Sequence, residues 1–116
     1  MVEDLYAQAV NGEIELIANK VNLIEVYYGI WREYGKLHAD AALAGVAVFS
    51  VVQVSDISMD VLYEAGRIKA DYRRVSLADS VVIAEAITRN GCVVTADHHE
   101  MDTLDKARVA EFLWIR

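Results

Sequence analysis

Proline is absent from all 116 residues. Without proline, a Ser/Gly-rich linker, an internal repeat or a low-complexity run, nothing in the chain marks a boundary between domains. Residues 1–116 read as one domain, long enough to bury a real core. Cysteine is almost as scarce. Cys92 stands alone and cannot form an internal disulfide. It falls in the expected strand Cys92-Val-Val-Thr95, where a small buried hydrophobe is the plain reading. A nucleophile would need a base beside it, and the local sequence supplies none. No apolar run reaches the roughly 18–20 residues that a membrane span requires. The opening Met1-Val-Glu-Asp-Leu-Tyr6 is acidic where a secretion signal is basic. The expectation is a cytoplasmic chain with no membrane partner. Positive charge is also short, with 11 Lys and Arg against 18 Asp and Glu and a net charge of −7. That argues against sequence-blind nucleic-acid binding. It leaves room for an enzyme that commits several acids to a metal, and for a basic protein partner.

Hydrophobic residues make up 55% of the chain, too many for disorder. Residues 2–10 read as a helix closed by Asn11-Gly12. Glu13-Ile-Glu-Leu-Ile-Ala18 suits a strand. From Asn22 the period becomes helical, and Leu23, Val26, Tyr27, Ile30 and Tyr34 form one apolar face that stops at Gly35. A small-residue helix is expected from about His38 to Val48. The β-branched run Phe49–Ile57 reads as a strand. Ser58 caps a further helix, with Asp60 in its first turn and Leu62, Ala65, Ile68 and Tyr72 inward. Leu77 to about Arg89 is a largely apolar, buried helix with a stop at Asn90-Gly91. Cys92–Ala96 is a short interior strand. Met101–Ala110 is a short helix or loop, and Phe112–Ile115 a last strand. The alternation predicts an α/β fold with a mainly parallel sheet, although the first element is a helix where such folds usually open with a strand.

The chemistry lies in the acids. Asn22-Leu-Ile-Glu25 and Ser76-Leu-Ala-Asp79 each place a capping side chain three residues before an acid, the form of a capping box or a close variant. A cap does not exclude a metal role, because the positive end of a helix keeps a first-turn carboxylate ionised. A metal ligand needs that state when other carboxylates crowd it. Asp97 directly follows a strand, at the carboxyl edge where α/β sheets build their sites, and has no capping role. If the three segments meet at that edge, Glu25, Asp79 and Asp97 form an oxygen-only cluster suited to Mg²⁺ or Mn²⁺. The matching chemistry is metal-assisted hydrolysis of a phosphodiester. Asp97-His-His-Glu100 is poorly spaced for zinc. Tyr27, Tyr28, Trp31 and Tyr34 suit an RNA-stacking platform, but their helical spacing favours a core or subunit contact. Lys69, with Arg67, Arg73 and Arg74, is either a phosphate-binding patch or a solvated helix face.

The chain resembles the PIN-domain proteins, in particular VapC-type toxin ribonucleases. The likeness rests on Val21-Asn-Leu-Ile-Glu25-Val-Tyr-Tyr-Gly29, on Ala65-Gly-Arg-Ile-Lys69-Ala with Val75-Ser-Leu-Ala-Asp79, and on Val94-Thr-Ala-Asp97-His, and it covers essentially the whole chain. It implies a three-layer α/β/α sandwich and a Mg²⁺-dependent endoribonuclease acting on tRNA or other structured RNA. Glu25, Asp79 and Asp97 match the family's metal-binding acids, and Asn22, Ser76 and Thr95 the polar positions around them. A homodimer and a cognate antitoxin lying over the site are also implied. Such proteins open with a central strand that ends in the first acid of the cluster, and this chain begins after it. Three acids then hold what four usually hold, so weakened metal affinity and low activity are expected. The unpaired strand edges left by that gap either close on each other or invite another chain. Asn19-Lys20 stands where the family has small or hydroxyl residues, which places a cation near the acids. The alternative is a degenerate, non-catalytic PIN-like module kept for protein binding.

Overall fold

The computed structural model describes residues 2–48, 52–95 and 98–114. The chain divides into two compact units, Met1–Asp56 and Ile57–Arg116. Both are mixed α/β units built on a pair of parallel strands, in line with the expected class.

The first unit runs α1 (Val2–Val10), β1 (Leu16–Asn19), α2 (Lys20–Tyr34), α3 (Lys36–Val48) and β2 (Val52–Ser55). Strands β1 and β2 pair in parallel, from Leu16 opposite Val52 to Asn19 opposite Ser55. The first strand therefore starts three residues later than the alternation from Glu13 suggested, and it runs one residue further. Helix α2 follows without a break, because Asn19 is both the last strand residue and the helix cap. Its Oδ1 accepts the Val21 N–H at 3.0 Å. Its Nδ2 donates to Ser55 Oγ and to the Asp56 carbonyl, each at 3.4 Å. With 2% of its surface exposed, this amide ties the helix start to the neighbouring strand.

That placement corrects the expected start of α2. Asn22 is not the cap but the third residue inside the helix, half-buried. The competition had a local cause: two asparagines stand three residues apart, and the first is placed opposite Ser55, which accepts from its amide nitrogen. The apolar face also needs correcting. No residue of α2 is buried, and Val26 and Tyr34 are 51% and 65% exposed. What joins α2 to α3 is polar at its rim. Asp40 accepts from Tyr27 Oη at 2.5 Å and from Lys36 Nζ at 2.7 Å.

The second unit contains α4 (Met59–Asp71), α5 (Leu77–Thr88), β3 (Cys92–Thr95), α6 (His98–Lys106) and β4 (Glu111–Trp114). Strands β3 and β4 pair in parallel, Cys92 opposite Glu111 through Thr95 opposite Trp114. Ser58 and Ser76 cap α4 and α5 as expected, through bonds from the Val61 N–H (3.2 Å) and the Asp79 N–H (3.1 Å). Most of the hydrophobic core lies here. Among the described residues every buried apolar side chain except Ala39 belongs to this unit, and Ile68, Ile83 and Leu104 are wholly enclosed. Each such side chain contributes about 2–3 kcal/mol from burial. Helix α5 is buried on most of its circumference, as its composition suggested. On α4 the inward stripe is Val61, Ala65 and Ile68, while Leu62, expected inside, is 50% exposed.

Three helices end in the same paired-bond device, in which the chain reverses through a left-handed residue. Gly12, at φ 77°, donates to Ala9 while Glu13 donates to Gln8. Asn90, at φ 56°, donates to Ile87 while Gly91 donates to Ala86. The reversal after α5 therefore falls on Asn90 rather than on Gly91; asparagine visits this region more readily than other side chains. Arg108, at φ 55°, does the same after α6. Of the residues expected at strand ends, Phe49–Val51, Ala96 and Ile115 lie outside the described residues.

Two stability predictions follow from these contacts. Asn19→Ala loses a cap and removes the bonds to the buried Ser55 hydroxyl and the Asp56 carbonyl, a cost of about 2 kcal/mol, and Asn22→Ala costs less. Chemical denaturation of the two variants ranks them; the reverse order would return the cap to Asn22. The bonds from Lys36, and then from Tyr27, hold the Asp40 carboxyl below its usual 3.8. A depressed carboxylate contributes stability above that value and loses it as pH falls through the lower folded-state value. Wild type therefore melts above Asp40→Asn at pH 7, and the gap closes below pH 3.8.

Candidate functional site

Glu25 stands in the second turn of α2. A first-turn carboxylate is stabilised by the helix's positive end, but the effect fades beyond that turn. The shift of the cap to Asn19 therefore removes this support from Glu25. The residue is exposed, and Tyr28 Oη lies 3.5 Å from its Oε2. The first turn instead begins with Lys20, a cation at the end of the dipole that disfavours it. Lys20 is held by Asp56, with Nζ and Oδ1 2.9 Å apart. The cation expected near the acids is thus directed to the carboxyl end of β2, into an exposed pair worth little in itself.

Asp79 has the setting that Glu25 lacks. It is the third residue of α5, half-buried, and its N–H is the one that the Ser76 hydroxyl accepts. The buried helix behind it fixes its backbone, and the positive end of the dipole favours its anion. Lys69 supports the loop leading to this cap. Its Nζ donates to the Arg73 carbonyl at 2.8 Å and to the Val75 carbonyl at 2.5 Å. Arg67 pairs with Glu64 and Asp71 along its own helix. Of the four cations considered for a phosphate patch, these two have partners within the unit.

Glu25 and Asp79 fall in different units. Asp97 lies outside the described residues, as do the side chains of Thr95 and of His98, His99 and Glu100. Among the described residues no three His, Cys, Asp or Glu side chains stand close enough to hold one ion. The donor set itself fits a hard cation, being carboxylate oxygen throughout. Cys92 is exposed rather than buried. It begins β3, where the strand leaves the reversal at Asn90.

Two features escaped the sequence reading. Glu85 is the one buried carboxylate among the described residues, with Arg89 Nε 3.7 Å from its Oε1. Six residues after Asp79, it points roughly 240° around the helix from it; only its place in a helix apolar all round hinted at its burial. A cavity of about 670 Å³ is lined by Asn90, Gly91, Asp105, Arg108, Glu111 and Phe112, among others. It sits at the amino ends of β3 and β4, the opposite end of that ladder from Thr95 and Trp114. None of the described helices is long and apolar enough to cross a membrane.

Lys69→Met removes a charged donor from two loop carbonyls and lowers stability by about 1–2 kcal/mol, read as a lower urea midpoint. An unchanged midpoint would show that the side chain does not hold the loop.

Comparison with known proteins places this geometry. No curated protein matches the chain in sequence. Among solved structures, a chain of VapBC2 from Rickettsia felis, bound to a DNA fragment from their promoter, superposes with a TM-score of 0.72 at 16% identity, covering 97% of this chain and 82% of that one. DNA-bound VapBC from Salmonella typhimurium gives 0.66 at 21% identity, covering 84% and 73%. A toxin–antitoxin complex from Klebsiella pneumoniae gives 0.55 at 18%, covering 86% and 83%. At such identities the likeness is one of fold. The profile of the PIN domain matches residues 2–107. That span takes in both units and all three segments that carry Glu25, Asp79 and Asp97, and the chain belongs to the PIN domain family.

Proposed function

We propose that this protein is a VapC-type PIN nuclease, a Mg²⁺-dependent endoribonuclease that forms the toxin half of a toxin–antitoxin pair. The observation that carries the reading is the PIN match over residues 2–107. Residues 1–116 then act as one domain, with Glu25, Asp79 and Asp97 as the acids that hold the ion. Ser76 positions Asp79 by fixing the first turn of α5. Asn22 and Thr95 are the polar neighbours of the other two acids. When bound, the metal lowers the pKa of an attacking water and offsets charge on the leaving oxygen, and Mn²⁺ serves the same oxygen ligands. Arg73 contributes a phosphate contact, and Lys69 acts beside it by shaping the loop.

The partners follow from the same reading. VapBC is the form in which similar folds have been solved, which supports a cognate antitoxin. The substrate is tRNA or another structured RNA, the protein works in the cytoplasm, and its functional form is a homodimer.

The test is cleavage of total tRNA with Mg²⁺. Wild type produces discrete fragments, EDTA stops the reaction, and Glu25→Gln, Asp79→Asn and Asp97→Asn each slow it. Disturbing even an outer-shell partner of a metal costs about 10–100-fold, so loss of a carboxylate ligand costs at least that. Equal rates for wild type and Asp79→Asn would overturn the catalytic reading in favour of a non-catalytic PIN module.

A further inference from the structure

We infer that Tyr28 and Trp31, on the exposed side of α2, form a base-stacking platform for single-stranded RNA beside Glu25. The inference rests on the reading of Glu25 as an acid of an RNA-cleaving site and adds how the substrate is held there.

The first observation is exposure. Helix α2 buries none of its residues, and Tyr28, Trp31 and Tyr34 are 43%, 46% and 65% exposed. Their helical spacing suits a core, yet within their own unit each keeps two-fifths or more of its surface exposed, with Trp31 edge-on to Tyr27 at 5.6 Å. The second observation is what lies on the rings. The Arg32 guanidinium sits 5.0 Å from the Tyr28 ring centroid. Lys36 Nζ sits 5.7 Å from the centroid of Trp31 while also bonding Asp40. Aromatic faces interleaved with cations are what sequence-tolerant single-strand binders present, the rings taking bases and the cations tracking phosphates.

The third observation is position. Tyr28 stands three residues beyond Glu25 on the same side of α2, its Oη 3.5 Å from Glu25 Oε2. Trp31, six residues on and about 9 Å along the axis, points roughly 240° around the helix from Glu25. Tyr28 is therefore the ring beside Glu25, and Trp31, three residues past Tyr28, extends the aromatic stripe away from it. The acids on this surface do not cancel the effect. Asp40 is already paired with Tyr27 and Lys36, and Glu25 faces the metal in the proposed function, which leaves Glu33 as the remaining negative charge beside Arg32. Stacking needs open base faces, so the platform selects an unpaired stretch of a structured RNA over its duplex parts.

The experiment uses the full chain without divalent metal, so that cleavage does not intrude. Binding of a fluorescent single-stranded oligoadenylate is compared with that of an abasic ribose-phosphate chain of the same length. Tyr28→Ala and Trp31→Ala are each expected to weaken oligoadenylate binding by about 5- to 100-fold, while Trp31→Phe keeps most of it. Binding of the abasic chain stays the same in all of them. Wild-type affinity in Trp31→Ala, or an equal loss on the abasic chain, would overturn the inference. So would a Trp31→Ala protein whose only change is in self-association by sedimentation, since the stripe would then be a contact between copies. The two readings fail separately. Metal-dependent cleavage that needs Glu25 but keeps its KM in Trp31→Ala removes the stacking alone. Base-dependent binding with no metal-dependent cleavage removes the nuclease alone.

Discussion

The side-chain amide of Asn19 sets the geometry of the first unit. One end accepts the Val21 N–H and starts α2; the other donates to Ser55 on the paired strand and to the carbonyl of Asp56 just beyond it. A cap on a free helix is worth about 1 kcal/mol, but this one is buried, so its remaining donors must also be satisfied. The parallel ladder supplies that partner, because Asn19 stands opposite Ser55. Strand register and helix start are thereby the same constraint. A one-residue slip of β1 would turn its side chains to the other face and take Asn19 from both partners. The positions of Glu25, Tyr28 and Trp31 along the helix all follow from where this amide begins it.

The second unit solves the same problem by a different route. Ser76 caps α5 locally, and the helix needs no cross-strand partner to define its first residue. Its register is fixed by burial, since Ala78, Val81, Ile83, Ala84 and Ala86 are all enclosed. Small side chains bring α4 close, and Lys69 secures the carbonyls of the intervening loop. Asp79 therefore sits on a rigid element with a carboxylate favoured by the dipole, whereas Glu25 sits on an exposed helix one turn too far in to gain from it. The two acids have the same sequence form and different physical settings.

That contrast marks how far the sequence could be read. The α/β class, the alternation of elements and the caps at Ser58 and Ser76 were legible, because each depends on residues within one or two helical turns. Helix α5 was legible as buried because apolar residues cover its whole circumference. The start of α2 was not, since Asn19 and Asn22 offer the same local chemistry and the decision is made by Ser55, thirty-six residues away. The exposure of α2's apolar face was hidden for a related reason. Periodicity shows which side chains share a face, but not whether anything covers it. Leu62 against Val61 on α4 is the same ambiguity at smaller scale: two adjacent apolar residues, of which packing enclosed one. The stop at Asn90-Gly91 was legible, and the structure assigns the left-handed position to the first residue of the pair. The three-acid cluster was drawn from sequence order and resemblance, and its members lie in different units or outside the described residues.

The division of labour between the units bears on what each acid contributes. A carboxylate held on a buried helix loses little rotational freedom when it takes a ligand. One on an exposed helix must first be ordered, which costs about 1–2 kcal/mol for a Glu side chain. Tyr28 reduces that cost only weakly, through a long contact to an exposed group. Glu25 thus has the most to gain from whatever occupies the α2 surface, because a substrate stacked on the adjacent rings would order the helix face that carries it. Under the proposed function, coupling of this kind would make substrate and metal mutually reinforcing, each changing the affinity of the other by the same factor, with the gain falling on the exposed Glu25 rather than on the capped Asp79.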